Sequence, residues 1–204
     1  MNKWLLCLII LLAGQCCRAQ EVEQKSGTLL LINGKTIPFK FIESTGYDLV
    51  YRTPEPKNKL KKIDPERVFS IQYMDGTERI IFQRDTLDPL EFTEDEMRKF
   101  IKGEQDAAKL YHNNVNKVAG FAVGFASASL GFYGLPGPFL YSTIVGAFTP
   151  NVHKIEGVDP ELIKIPEYRE GFEKKVRDRK IRNGLVAGFI GFAAGVITFS
   201  QIQK

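Results

Sequence analysis

Short apolar runs separated by turn residues fill residues 27–84. The dipeptides Asn33-Gly34 and Asp75-Gly76 each lie between two such runs. An Asx-Gly dipeptide in that position is the strongest short-range signal for a β-hairpin. Five or six strands at this close spacing predict a small antiparallel β-barrel of SH3-like or Sm-like topology. The chain therefore begins its folded part with a β domain.

Two details refine this strand pattern. Pro38 interrupts the second strand, and proline within a strand is typical of an edge position or a bulge. The sequence Asp64-Pro-Glu-Arg67 predicts a single helical turn between two later strands.

The pattern changes to helical spacing after residue 92. Thr93 and Glu96 match a capping box, in which each side chain bonds a backbone N–H of the other residue. An amphipathic helix is predicted over residues 93–117, and its stripe would dock either on the barrel or on a bilayer surface. The apolar stripe consists of Met97, Phe100, Ile101, Ala107, Ala108, Leu110 and Tyr111.

Two later segments, residues 118–150 and 184–203, contain no charged residue. The first is divided by Gly134-Leu-Pro-Gly-Pro138, which breaks or kinks a helix. The length of each piece would suit a buried helix of a soluble protein as well as a membrane helix. A surface helix in water would show a polar face, however, and these segments show almost none. The pattern favours a membrane hairpin made by the two segments.

Small residues recur every four positions in both apolar segments. Such spacing lets helix backbones approach closely, which is how helices associate in lipid. The fold class predicted for the chain is therefore α+β, a small barrel followed by an amphipathic helix and a glycine-rich transmembrane helical hairpin. The predicted helix-packing residues are Gly120, Gly124, Ala128, Gly184, Ala187, Gly188, Gly191 and Gly195.

The connecting segment, residues 151–183, is rich in charge. We expect a basic loop or helix that lies in the cytoplasm, in keeping with the excess of Lys and Arg in cytoplasmic loops. Its cations would either contact anionic lipid headgroups or belong to a solvated helix with ordinary ion pairs. The predicted lipid-headgroup contacts are Lys174, Lys175, Arg177, Arg179, Lys180 and Arg182.

Residues 1–19 read as a secretory signal peptide. Lys3 precedes an apolar run of about ten residues, and small residues at −3 and −1 predict cleavage after Ala19. A lipoprotein signal is the alternative, although Gln15 stands before Cys16 where a small residue is expected. Cleavage after Ala19 removes all three cysteines and leaves the barrel in the periplasm.

Composition and motifs mainly exclude classes of function. The 28 basic residues nearly balance the 24 acidic ones, which argues against a nucleic-acid partner. No Walker, HExxH, GxSxG, CxxC or dinucleotide motif is present. The acids between Asp85 and Glu96 do not have the spacing of an EF-hand loop. We predict no catalytic residue, metal, cofactor or small-molecule substrate; an enzyme or transport accessory that acts on lipid or cell wall through these acids is the alternative.

Several motifs, in order, resemble a type of envelope protein from Bacteroidetes. They include Leu31-Ile-Asn-Gly-Lys35, Phe100-Ile-Lys-Gly103 and Pro166-Glu-Tyr168, after which Gly171-Phe172 stands where Gly-Tyr is common. The resemblance implies a Gram-negative envelope location and brings no catalytic residues. We expect a non-catalytic, membrane-anchored protein whose periplasmic barrel is an interaction or scaffold module of a larger complex. Its partners would be membrane lipid and other envelope proteins or further copies of itself. The inner membrane is the favoured location, and association with the outer membrane is the alternative.

Overall fold

A computed structural model describes residues 26–45, 47–84, 91–112, 114–148, 150–152 and 155–202. The predicted signal peptide lies outside the described residues. The chain divides into two compact units. The sheet unit comprises residues up to 31 and residues 36–82; the helical unit comprises residues 32–35 and everything from residue 83 onward.

The described part of the sheet unit holds seven strands in two antiparallel sheets. The strands are β1 (Gly27–Leu31), β2 (Thr36–Phe39), β3 (Phe41–Ser44), β4 (Leu49–Arg52), β5 (Leu60–Ile63), β6 (Val68–Tyr73) and β7 (Glu78–Ile80). The first sheet has the order β2-β1-β6-β7 and the second the order β3-β4-β5. One core serves both sheets, formed by Leu29, Leu31, Phe39, Leu49, Tyr51, Val68 and Ile71.

The two sheets do not close into a barrel, so the barrel predicted for residues 27–84 is wrong in its closure. The chain passes from one sheet to the other at Lys40, whose N–H donates to the carbonyl of Arg52 at 2.9 Å. Closure would require a further ladder on the outer strands. The outer strand β5 instead exposes Lys61 and Lys62, and charges of this kind protect a sheet edge from pairing.

Both predicted hairpins are confirmed. β1 pairs with β2 and β6 with β7, and the turn glycines Gly34 and Gly76 have φ angles of 71° and 86°. Pro38 lies on β2, which is an edge strand as predicted. The predicted helical turn is a 3₁₀ helix, Pro65–Arg67, capped by the side chain of Asp64.

Five α-helices lie in the described part of the helical unit. The capping box of Thr93 and Glu96 is confirmed at the start of the first helix. That helix ends at Leu110 and not near residue 117, because the backbone of Tyr111 is extended. The helices are α1 (Glu94–Leu110), α2 (Val115–Ser127), α3 (Gly137–Ala147), α4 (Pro160–Ile163) and α5 (Pro166–Ile202), with a 3₁₀ segment, Ala128–Gly134, after α2.

The basic stretch and the last apolar segment form one continuous helix. α5 has 37 residues and is about 56 Å long at 1.5 Å per residue. The separation predicted at residues 183 and 184 is therefore not a structural boundary. No proline interrupts the sequence between Pro166 and the C-terminus, and a lone Gly184 weakens a helix without ending it.

Candidate functional site: a glycine-packed helical surface

Small residues bring α2 and the second half of α5 into backbone contact. A Cβ atom placed on Gly120 would lie 2.6 Å from the carbonyl oxygen of Gly184. One placed on Gly124 would collide with the carbonyl of Gly188, and one on Gly195 would lie 2.6 Å from the Cβ of Ala128. No larger side chain fits at these positions without separating the two helices.

The order of these contacts gives the direction of each helix. Residue numbers rise together along the pairs Gly120–Gly184 and Gly124–Gly188, so α2 and α5 run parallel. α3 runs the opposite way, because Pro138 lies against Gly188 whereas Gly146 lies against Ile181. The two predicted membrane segments do not form a simple antiparallel hairpin with each other. The return is made by α3, and the end of α3 lies level with the start of the apolar half of α5.

The inside of this three-helix bundle contains only small residues. Large apolar side chains face outward instead, with Phe132 exposed by 82% and Ile197 by 61%. A bundle in water has the opposite arrangement, with large apolar residues inside and polar residues outside. The buried residues of the described α2–α3 region and apolar half of α5 are Gly120, Gly124, Ala128, Gly134, Pro138, Ser142, Gly184, Gly188, Gly191 and Gly195.

Ala187 is the exception among the predicted packing residues. It is half-buried and lines a groove with Lys117, Val118, Phe121 and Ile190. Gly191, by contrast, faces the carbonyl of Phe121. The groove therefore runs beside the line of backbone contact.

Two helical segments are long and apolar enough to cross a membrane by length and composition: Val115–Gly134 and Pro166–Gln201. The first is kinked at Gly131, where φ is 59° and ψ is −134°. In the second, the charge-free residues 183–202 extend about 30 Å, which equals the thickness of a bilayer hydrocarbon core of about 30 Å.

The first half of α5 packs in the ordinary way of a soluble protein. Phe172 and Val176 are fully buried, in a core that includes Ala107 of α1 and Ile163 of α4. Close approach to α1 is again made at a glycine, because a Cβ on Gly103 would meet the backbone of Tyr168.

Tyr168 also joins α5 to α1 through its hydroxyl, which donates to a carboxylate oxygen of Asp106 at 3.0 Å. Two effects raise the pKa of Tyr168 well above its ordinary value: burial, which is the larger, and the hydrogen bond to Asp106. The hydroxyl therefore stays protonated and remains a donor throughout the physiological range.

A buried carboxylate lies between α1 and α5. Glu104 is only 1% exposed, and its two oxygens lie 3.2 Å from Lys174 and 3.1 Å from Lys175. Lys175 also donates to the carbonyl of Asn33 at 2.9 Å, so the turn of residues 32–35 is held within the helical unit. Lys174 lies 4.9 Å above the ring of Phe100.

The six cations predicted to contact lipid headgroups therefore fall into two groups, those with a partner among the described residues and those without one. Lys174 and Lys175 bind Glu104 instead, and Arg179 donates to the carbonyl of Tyr111 at 2.9 Å. Arg177 and Arg182 are exposed and Lys180 is half-exposed. Of the six, only these last three make no hydrogen bond or ion pair with another described residue, and headgroup contact stays a prediction.

No family model, curated protein or solved structure matches this chain. Of the resemblance to Bacteroidetes envelope proteins, the architecture is shown at a coarse level: antiparallel sheets followed by helices, two of them of membrane length.

Among the acids considered for catalysis or calcium, Glu96 belongs to the cap of α1. Glu96 accepts the N–H of Thr93 at 2.8 Å, and its bonds to the backbone and hydroxyl of Thr93 lower its pKa. Asp85 and Asp88 lie outside the described residues. In the described part of the chain, no three His, Cys, Asp or Glu side chains converge in a way that could hold a metal ion.

Sequence reasoning missed Glu104. The available signal was its position on the apolar stripe of α1, four residues after Phe100 and three before Ala107, which places it on the buried face. A carboxylate at such a position requires a cationic partner.

Proposed function

We propose that this chain is an exported, non-catalytic envelope protein that is anchored in the membrane by the glycine-packed bundle. One observation supports the anchor above all: the bundle buries glycine, alanine, proline and serine while it exposes phenylalanine, isoleucine, leucine and valine. Water would make this arrangement costly, because apolar surface gains by leaving water. Lipid tails remove that cost and leave close packing as the main attraction between helices.

The directions of the helices support a specific topology for this anchor. Residues 183–202 of α5 cross the bilayer once. α3 has 11 residues and extends about 16 Å, which is too short to cross, so α2 and α3 form a re-entrant hairpin. α1, α4 and the basic half of α5 then lie on the periplasmic side of the membrane, and the end of α5 lies on the other side. The cytoplasmic location first expected for residues 151–183 is replaced by this proposal.

The sheet unit would serve as the interaction or scaffold module, in a complex with other envelope proteins or further copies of the chain. It contains a cavity of about 490 Å³ whose lining includes Phe39, Pro54, Tyr73 and Met74. Tyr47 and Met74 are exposed. Apolar and aromatic side chains exposed in this way are typical of protein interaction surfaces.

Alkaline carbonate extraction tests the anchor. We expect the wild-type protein to stay in the membrane pellet. Ile197→Asp, on the outer surface about 7 Å from the midpoint of residues 183–202, should weaken retention, because an aspartate costs up to roughly 3 kcal/mol at the centre of a bilayer. Lys164→Asp, on the exposed side of the polar region, is the matched control and should be retained. Release of the wild-type protein into the supernatant would refute the anchor.

Cysteine labelling tests the topology, because the three native cysteines lie in the predicted signal peptide. A membrane-impermeant maleimide added from the periplasmic side should label Lys164→Cys. Gln201→Cys should be labelled only after the membrane is opened. Labelling of Gln201→Cys, with Lys164→Cys protected, would reverse the orientation; labelling of both or neither would exclude a single crossing by α5.

A further inference from the structure

A groove of about 300 Å³ lies between α2 and the apolar half of α5. Val118, Phe121, Ala187 and Ile190 form apolar walls, and Lys117 is the one charged residue that lines it. The small side chain of Ala187 leaves space that a larger residue would fill. The groove is at the small end of the range of ligand pockets, about 300–1,000 Å³.

A second ammonium group lies on the helix that forms the other wall. Lys180 precedes Ala187 by seven residues, which is two helical turns on the same face and about 10 Å along the axis. Lys117 precedes Phe121 by one turn on α2. Because Gly120 packs against Gly184, Lys117 and Lys180 lie near the same level, at the polar end of the groove.

These two lysines differ from Lys174 and Lys175, which share the buried carboxylate of Glu104. Among the described residues, neither Lys117 nor Lys180 forms an ion pair. Lys117 makes a long hydrogen bond of 3.4 Å to Asn114. Two uncompensated positive charges therefore stand where the charge-free half of α5 begins.

We propose that this groove binds one anionic phospholipid of the host membrane, with an acyl chain against Phe121 and Ile190 and the phosphate between Lys117 and Lys180. The proposal rests on the membrane anchor proposed above. Charge complementarity supports it: the phosphate level of a bilayer is where long basic side chains extend from an apolar surface. The groove continues from that level into the hydrocarbon region, where an acyl chain lies.

Native mass spectrometry of the full-length protein in detergent tests the headgroup contact. The probes are dioleoylphosphatidylglycerol and dioleoylphosphatidylcholine, which share the same chains. We expect the wild type to retain the anionic lipid preferentially. Lys117→Gln and Lys180→Gln should each weaken that preference about fivefold and the double variant about 25-fold, since each cation contributes about 1 kcal/mol. Lys164→Gln is the control and should behave as the wild type.

A second pair of variants tests the groove without changing charge. Ala187→Phe fills the groove and should abolish retention of phosphatidylglycerol. Its neighbour Val186 is exposed, so Val186→Phe should leave retention unchanged.

Full retention by the double lysine variant, or by Ala187→Phe, would overturn the lipid site. If Ala187→Phe fails to fold, as judged by circular dichroism, the lysine variants decide alone. Carbonate extraction of the same proteins separates the two proposals: a protein that resists extraction but shows no headgroup preference refutes the lipid site and leaves the anchor intact.

Discussion

The two halves of α5 are one helix with opposite arrangements of large and small side chains. Before Arg182, large side chains such as Phe172 and Val176 face inward and charged side chains face outward. After Asn183, glycine faces inward and isoleucine, valine and phenylalanine face outward. The direction in which large side chains point, more than mean hydropathy, therefore distinguishes the polar half of α5 from the apolar half. The mean hydropathy of the whole chain is only −0.15 because it averages over polar and apolar segments.

The two halves also owe their stability to different forces. The polar half gains from the removal of apolar surface from water. In the proposed membrane anchor, the apolar half would have no such gain and would depend on short distances between backbones. A glycine costs about 1 kcal/mol in a helix relative to alanine, so the glycines of α2 and α5 are justified only by the contact that they permit. The following pairs of substitutions test this difference.

The largest difference should appear when the same side chain is truncated in each region. Phe172→Ala should cost about 4 kcal/mol, because Phe172 is fully buried in protein. Phe132→Ala should change stability by less than about 0.5 kcal/mol, because that ring is 82% exposed. Thermal unfolding in detergent, followed by circular dichroism, measures both. Equal costs would mean that Phe132 is buried against protein and that large apolar side chains do not face outward in this bundle.

Enlarging a small residue at the contact of α2 with α5 should have the next largest effect on stability. Gly124→Leu should cost about 3 kcal/mol, since it forces α2 away from the backbone of Gly188. Val123→Leu changes the adjacent residue, which faces outward, and should be nearly neutral. The same unfolding measurement applies, with protease resistance of the α2–α5 pair as a second readout. An unaffected Gly124→Leu protein would show that these helices are not in backbone contact.

The sequence contains much of this structure in local signals. Asn33-Gly34, Asp75-Gly76 and the Thr93–Glu96 box act over a few residues, so the hairpins and the start of α1 could be predicted from them. Whether two sheets close into a barrel depends on pairing between outer strands that are distant in sequence. No local pattern around Lys40 or Lys61 decides that.

The glycine spacing shows the same limit for the candidate site. The positions Gly120, Gly124, Gly184 and Gly188 could be named from their period of four. Their parallel direction could not, because the period is the same for parallel and antiparallel pairs. The groove beside Ala187 and the pairing of Glu104 depend on two helices together and are likewise invisible in either one.

The buried carboxylate of α1 that pairs with the polar half of α5 should matter more for stability than a more exposed one. Glu104→Gln should cost about 2 kcal/mol, because it leaves Lys175 half-buried with a weaker acceptor. Glu173→Gln removes the same charge from an i,i+4 pair with Arg169 at 3.7 Å on the surface and should cost less than about 0.5 kcal/mol. Chemical unfolding of the two variants in detergent compares them directly. Identical midpoints would show that Glu104 is hydrated.

The smallest effect on stability should come from the N-caps of α1 and α2. α1 begins with a side-chain cap and α2 does not. The hydroxyl of Thr93 accepts the N–H of residue 96 at the start of α1, whereas Asn114 makes no such bond at the start of α2. Thr93→Ala should therefore cost about 1 kcal/mol, and Asn114→Ala should cost nothing measurable. A larger loss for Asn114→Ala would mean that α2 begins with a cap that the structure does not show.

The Thr93 effect should also depend on pH, because Glu96 is part of the same cap. Hydrogen bonds from Thr93 lower the pKa of Glu96 below its ordinary value of 4.5. A group whose pKa is lower in the folded state stabilises that state above its unfolded pKa and loses the contribution as the pH falls through the folded value. The difference in unfolding temperature between wild type and Thr93→Ala should hence be constant near neutral pH and shrink below about pH 4.5. Glu94→Gln, which changes the same turn outside the box, should leave that pH dependence in place. A difference that does not change with pH would show that the hydroxyl of Thr93 does not bond the carboxylate of Glu96.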